Sequence, residues 1–137
     1  MIKKIDHVGI AVSDLEQQIK FYTDVLGLNC VGIEEVPDQK VKIAIFPVGE
    51  VRIELVQPLS RNSPIARFLK KKGEGIHHIA YQVTDLARNL LHLEKQQIQL
   101  IDSTPRIGAG GQKIAFLHPE STFGVLIEMC EYSRNEK

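Results

Sequence analysis

Four polar residues interrupt otherwise apolar, β-branched stretches of this 137-residue chain: His7, Glu54, His78 and Glu128. Burying an imidazole or a carboxylate costs free energy unless something satisfies it. Two imidazoles and two carboxylates together suit a divalent cation, because nitrogen and oxygen donors match such ions and the carboxylates cancel the double charge. A lone histidine in a strand is more commonly a satisfied core residue, and a lone glutamate commonly faces solvent. Here the two types recur in step. His78 follows His7 by 71 residues, and Glu128 follows Glu54 by 74. That recurrence is what favours a metal.

The elements that must position these residues are themselves repeated. Ile5-Asp6-His7-Val8-Gly9-Ile10-Ala11-Val12-Ser13-Asp14-Leu15 aligns with Ile76-His77-His78-Ile79-Ala80-Tyr81-Gln82-Val83-Thr84-Asp85-Leu86. Lys42-Ile43-Ala44 recurs as Lys113-Ile114-Ala115, and Val51-Arg52-Ile53-Glu54-Leu55 aligns with Val125-Leu126-Ile127-Glu128-Met129. Three collinear matches imply duplication: one module over about 4–58 and another over about 75–131. Alternation and β-branching predict strands over 4–12, 28–36, 41–48 and 51–57 in the first. Ser13 and Glu16 read as a capping box, opening a helix with Leu15, Ile19, Tyr22 and Leu26 on its buried stripe. Gly27 stops that helix. The link Pro47-Val48-Gly49-Glu50 makes the last two strands a hairpin. The second module gives a strand at 76–83, a helix at 85–97 and strands near 98–102, 113–118 and 124–130. Between the modules, Ser63 as N-cap, Pro64 and Gly73 delimit a linker helix over 63–73. The fold class expected is α+β: two tandem βαβββ modules in one domain of residues 1–137, forming a cupped, mostly antiparallel eight-stranded sheet. Strand alternation puts His7, Gly9 and Ala11 on one face, and Arg52, Glu54 and Val56 on one face. A pseudo-twofold would bring the four site residues to one centre.

Other features carry less. Lysine plus arginine balances aspartate plus glutamate, 17 against 17, which argues against nucleic-acid or membrane-surface binding. No apolar run is long enough to span a bilayer and no leader-like segment opens the chain. Cys30 and Cys130 form no CxxC, so they are read as reduced, in a cytoplasmic protein without catalytic thiols. His77 points away from His78; His92 and His118 have no repeat partner. Gly108-Ala109-Gly110-Gly111 lacks the strand-to-helix context of a dinucleotide or phosphate loop; a lid, a close backbone approach or a plain flexible loop remain as readings. The lysines at 70–72 are a solvated helix end, and the tail from Ser133 to Lys137 is expected to fray.

The His-Glu-His-Glu order on paired βαβββ modules resembles the vicinal oxygen chelate superfamily, which includes glyoxalase I. The run from Pro58 to Ala66 (PLSRNSPIA), Gly75-Ile76-His77-His78-Ile79-Ala80, Arg106-Ile107-Gly108-Ala109-Gly110-Gly111, Phe116-Leu117-His118-Pro119 and Gly124-Val125-Leu126-Ile127-Glu128 are more specifically similar to its methylmalonyl-CoA epimerase family. The resemblance implies one divalent metal (Co, Ni, Mn or Zn) held by His7, Glu54, His78 and Glu128. It also implies an acyl-CoA substrate, Glu128 as a carboxylate that moves a proton, and a homodimer. Ile43 stands where bacterial members often carry a second catalytic glutamate. The second acid/base is then Glu54, as repeat symmetry suggests, or a water on the metal or beside Gln39. Two other readings stay open: a glyoxalase I-like lactoylglutathione lyase, which uses the same enolate logic, and a non-catalytic small-molecule-binding protein of the same fold.

Overall fold

The computed structural model describes residues 1–133 and carries eight strands and three α-helices among them. The last four residues of the expected frayed tail lie outside the described residues. The chain divides into two compact units: His7–His77, and Met1–Asp6 together with the chain from His78 onward. Their boundaries fall beside His7 and His78, so the first strand contributes its opening half to one unit and the rest to the other.

In the His7–His77 unit, β1 (Ile2–Ala11) leads to α1 (Leu15–Lys20), then β2 (Gly32–Val36), β3 (Val41–Val48), β4 (Val51–Pro58) and α2 (Pro64–Lys72). The strands lie in the order β2-β3-β4-β1, with β4 and β1 parallel and the other ladders antiparallel. Alternation splits the sheet into two faces. Ile10, Ala44, Phe46, Ile53 and Leu55 pack with Val12 and Leu15 into a core under α1. The opposite face carries His7 and Glu54.

The helix start departs from the expected capping box. The N-cap is Asp14, whose Oδ1 accepts from the Gln17 amide at 3.1 Å. Ser13 instead donates its amide to Glu74 Oε2 at 2.8 Å, a partner 61 residues away that local pattern cannot reveal. Leu26, expected on the buried stripe, is 52% exposed. One π turn over Phe21–Val25 explains it: the wider turn changes the helical phase after Tyr22, which still packs on Phe46. Gly27 then ends the helix at positive φ, as expected. The strand expected over 28–36 shortens to Gly32–Val36, and the hairpin turn narrows to Gly49-Glu50. The linker helix has its expected caps: Ser63 Oγ accepts from the Ala66 amide at 3.0 Å, and Gly73 follows Lys72.

In the other unit, β5 (Gly75–Val83) leads to α3 (Leu86–Lys95), β6 (Arg106–Ile107), β7 (Lys113–Leu117) and β8 (Ile127–Glu131). β5 and β8 are parallel, while β8–β7 and β7–β6 are antiparallel. Val83, Ala115, Leu117 and Met129 pack with Leu86 and Leu90 beneath α3. The strand expected near 98–102 is reduced to a single bridge at Leu100. Asp102 is the physical reason: its carboxylate takes the Phe116 amide at 2.9 Å, where a ladder would use a backbone carbonyl. β8 starts three residues late because Val125 and Thr122 bond each other in a turn.

Candidate metal centre

Each unit builds a histidine–glutamate pair in the same way. In β1 and β4, His7 lies opposite Arg52 and Gly9 opposite Glu54. In β5 and β8, Ala80 lies opposite Glu128. The glutamate therefore faces the residue two beyond the histidine in both parallel ladders, and that residue is small. Residues two apart on a strand share a face, so each imidazole meets its carboxylate over a glycine or an alanine. His7 Nε2 is 3.5 Å from Glu54 Oε1, and His78 Nε2 is 3.0 Å from Glu128 Oε1. All four residues are buried.

These separations fit shared coordination. Two donor atoms each about 2.1 Å from one ion lie roughly 3.0 Å apart at right angles and about 3.4 Å apart at the tetrahedral angle. Nitrogen and carboxylate donors, buried and aimed at each other, are the donor chemistry a metal such as Co, Ni, Mn or Zn takes. Each pair fits half of a metal site.

The surroundings of the two pairs differ. Arg52 Nη2 holds Glu54 Oε2 at 3.1 Å. The repeat counterpart of Arg52 is Leu126, which packs against Ile114, Phe116 and Cys130 on the Glu128 face. Phe116 meets the His78 ring edge-on, with centroids 5.5 Å apart. Glu54 thus has a cation beside it, and Glu128 has an apolar wall.

The remaining candidates have structural partners. His77 stacks edge-on with Phe68 at 4.9 Å. His118 caps a short 3-10 turn, its Nδ1 accepting from the Glu120 amide at 3.1 Å. Cys130 is buried with its thiol 3.6 Å from the Tyr81 carbonyl, and both cysteines are free thiols. At Gly108 a Cβ would stand 2.8 Å from Ile114 Cγ2, so the close backbone approach in the glycine-rich loop is to the core. Sequence reasoning missed Arg52 as a partner and the buried Asp6, whose Oδ1 accepts from the Tyr132 hydroxyl at 2.7 Å. It also missed a second repeat. Gln57 Oε1 accepts from the Leu15 amide and Glu131 Oε1 from the Leu86 amide, both at 2.8 Å. Gln57 and Glu131 stand 74 residues apart, the spacing of the two site glutamates, and that spacing was the signal available.

Residues 6–116 match the family model of the Glyoxalase/Bleomycin resistance protein/Dioxygenase superfamily. The chain belongs to that superfamily and has its fold. Within it, the chain is similar to epimerases of acyl-CoA esters. It is 38% identical over 131 residues to the ethylmalonyl-CoA/methylmalonyl-CoA epimerase of Cereibacter sphaeroides, covering 94% of this chain and 98% of that one. The crystal structure of methylmalonyl-CoA epimerase from Mycobacterium tuberculosis superposes with a TM-score of 0.93 at 39% identity, over 98% and 91% of the two chains. A Streptomyces coelicolor methylmalonyl-CoA epimerase variant in complex with 2-nitronate-propionyl-CoA gives 0.94 at 30% identity, over 98% and 97%. No helix among the described residues is long and apolar enough to cross a membrane.

Proposed function

We propose that this protein epimerises methylmalonyl-CoA, using one divalent metal held by His7, Glu54, His78 and Glu128. The observation that carries the reading is the buried His–Glu pair built at one register in each of two repeated units. Similarity to epimerases over nearly the full chain supports the choice of substrate. A homodimer and a cytoplasmic setting belong to the same reading. The first rests on family resemblance, the second on two free thiols.

The chemistry follows from the residues. The proton next to a thioester is weakly acidic, and its removal leaves an enolate. When bound, the metal supplies Lewis acidity that stabilises charge on the thioester oxygen, worth several kcal/mol. Glu128 accepts the proton from the carbon on its face. The apolar wall of Phe116, Ile114 and Leu126 keeps water from that carboxylate and so limits solvation of the base. The perpendicular contact with Phe116 holds the His78 ring in orientation. Returning a proton on the other face inverts the centre. Glu54 is one candidate for that step by repeat symmetry, although Arg52 already holds one of its oxygens.

The test compares two substrates on metal-loaded protein: methylmalonyl-CoA and the methylglyoxal–glutathione hemithioacetal. Turnover of the first alone is expected. Turnover of the second alone would replace the epimerase reading with the glyoxalase one, and tight binding without turnover of either would favour a sequestering protein.

A further inference from the structure

Gln112 is 2% exposed, and its Oε1 is buried with no hydrogen-bond partner among the described residues. A buried acceptor left unpaired keeps its full desolvation cost, so native chains retain few of them. We propose that this oxygen is a substrate contact, accepting the N–H of the second amide in the pantetheine arm of an acyl-CoA. The inference rests on the epimerase reading and deepens it.

Register puts Gln112 on the face of Glu128. Phe116 pairs with Glu128 and Ile114 with Cys130, and residues two apart on a strand share a face. Gln112 continues that series with an extended backbone, φ −69° and ψ 157°. Its carbonyl accepts from the Gly108 amide at 2.8 Å, which prolongs the β6–β7 ladder. All of these residues belong to the unit from His78 onward.

The neighbours on this face are engaged elsewhere. Two residues beyond Cys130, the Tyr132 hydroxyl donates to Asp6 at 2.7 Å. Arg106, opposite Ile114, is held by Asp102 at 3.0 Å. The Cys130 thiol lies 3.6 Å from the Tyr81 carbonyl. Gly110 and Gly111 precede Gln112 at positive φ, and a Cβ on either would meet nothing within 4 Å. That backbone is open to an approaching chain. The terminal torsion of a glutamine is broad, so the oxygen can turn toward a donor there.

Chain lengths match. Gln112 lies four residues from Phe116, roughly 13 Å along the strand. In an acyl-CoA the second amide nitrogen is nine bonds from the carbon that loses its proton, roughly 10 Å when extended. The first amide nitrogen, five bonds away, reaches only about 6 Å. With the reacting carbon at Glu128, the second amide therefore comes to Gln112, and the apolar row of Ile114 and Cys130 lies between. The free carboxyl of methylmalonyl-CoA is bonded directly to the reacting carbon and stays at the Glu128 end.

The test measures epimerisation of methylmalonyl thioesters by metal-loaded protein. One thioester is of pantetheine, another of its analogue with an ester oxygen in place of the second amide N–H, and a third of N-acetylcysteamine, which ends after the first amide. Gln112→Met keeps the bulk of the side chain and removes the acceptor. It should raise KM for the pantetheine thioester by about 3- to 10-fold with kcat unchanged, and leave KM for the other two unaltered. On the unsubstituted protein the ester analogue should show the same rise over pantetheine, a measurement that does not depend on the variant folding. The melting midpoint of Gln112→Met should not fall, because an unpaired buried acceptor is gone. No rise with the pantetheine thioester would overturn the proposal, and is what a glutamine bonded only to buried water would give. A rise shared by the N-acetylcysteamine thioester would overturn it too. If the unsubstituted holoprotein epimerises neither these thioesters nor methylmalonyl-CoA, the epimerase reading falls instead, so the two failures are distinguishable.

Discussion

The His7–His77 unit and the unit from His78 onward build their His–Glu pairs at one register, yet they surround them differently. Glu54 has Arg52 against one oxygen, while Glu128 faces the Ile114, Phe116 and Leu126 wall. The outer strands diverge too. β2 is a five-residue ladder bearing Glu34, whereas β6 has two residues, with Arg106 opposite Ile114 where Glu34 stands opposite Ile43. Duplication kept the register of the two His–Glu pairs and the helix starts. It released the counter-charges and edges, so two equivalent glutamates have different surroundings.

The largest expected effect tests the shared half of that comparison. In the His7→Ala/His78→Ala variant, elemental analysis should find metal falling from one ion per chain to nearly none. Loss of a Lewis acid worth several kcal/mol should cut inversion by roughly a thousandfold. If the units contribute alike, each single variant should weaken metal binding by a similar factor. Undiminished metal in the double variant would break the comparison at its root.

Next in size is the contrast between the glutamates. Glu128→Gln should lower inversion by about 10²- to 10⁴-fold. Glu54→Gln should retain most inversion once metal occupancy is matched, because the amide oxygen still offers a ligand atom. Equal losses at matched occupancy would mean that Arg52 does not set Glu54 apart.

Legibility in the sequence followed the range of the interactions. The buried pairs His7–Glu54 and His78–Glu128 were readable because a duplicated chain repeats its polar strand residues, and the linker helix was readable because Ser63, Pro64 and Gly73 are local signals. The capping box was misplaced because Asp14 takes the N-cap and the Ser13 amide, which Glu16 was expected to reach, bonds Glu74 far along the chain. The strand near 98–102 was overcalled because Asp102 substitutes a side-chain acceptor for a ladder carbonyl, a choice that alternation does not encode. Leu26 was misassigned because a π turn changes helix phase without changing composition. Arg52 lay in view on the Glu54 strand, but its contact needed register and rotamer.

A middle-sized effect concerns stability of the site. Saturating divalent metal, at about a hundred times its dissociation constant, should stabilise the fold by roughly 2.7 kcal/mol. Calorimetry should register this as a higher melting midpoint, and a chelator should reverse it. The same titration on the double histidine variant should show no shift. An equal shift there would place the ion elsewhere.

Gly108 sharpens the comparison at the edges. Gly108→Ala should cost about 1–3 kcal/mol of overpacking, since its Cβ would press into Ile114 Cγ2 at 2.8 Å. Gly32→Ala in the other unit meets open space and keeps an extended backbone, so it should leave denaturant stability nearly unchanged. Equal costs would mean that the two outer strands are packed alike.

The smallest effect compares the helix starts. Gln57 and Glu131 each accept the first amide of a helix at 2.8 Å, one as a neutral amide and the other as a carboxylate. Hydrogen bonds to charged groups contribute about 1.5–3 kcal/mol against about 0.5–1.5 for neutral ones. A negative charge at a helix N-terminus adds a favourable dipole term that salt screens. Glu131→Gln should therefore destabilise the protein by roughly 1 kcal/mol in denaturant titration, with less loss at high salt. Gln57→Ala should cost about 0.5–2 kcal/mol, as for a lost helix cap, and its cost should not depend on salt. Salt-independent loss in Glu131→Gln would show that the two acceptors act through geometry alone, and that charge at this position separates the units no further than Arg52 already does.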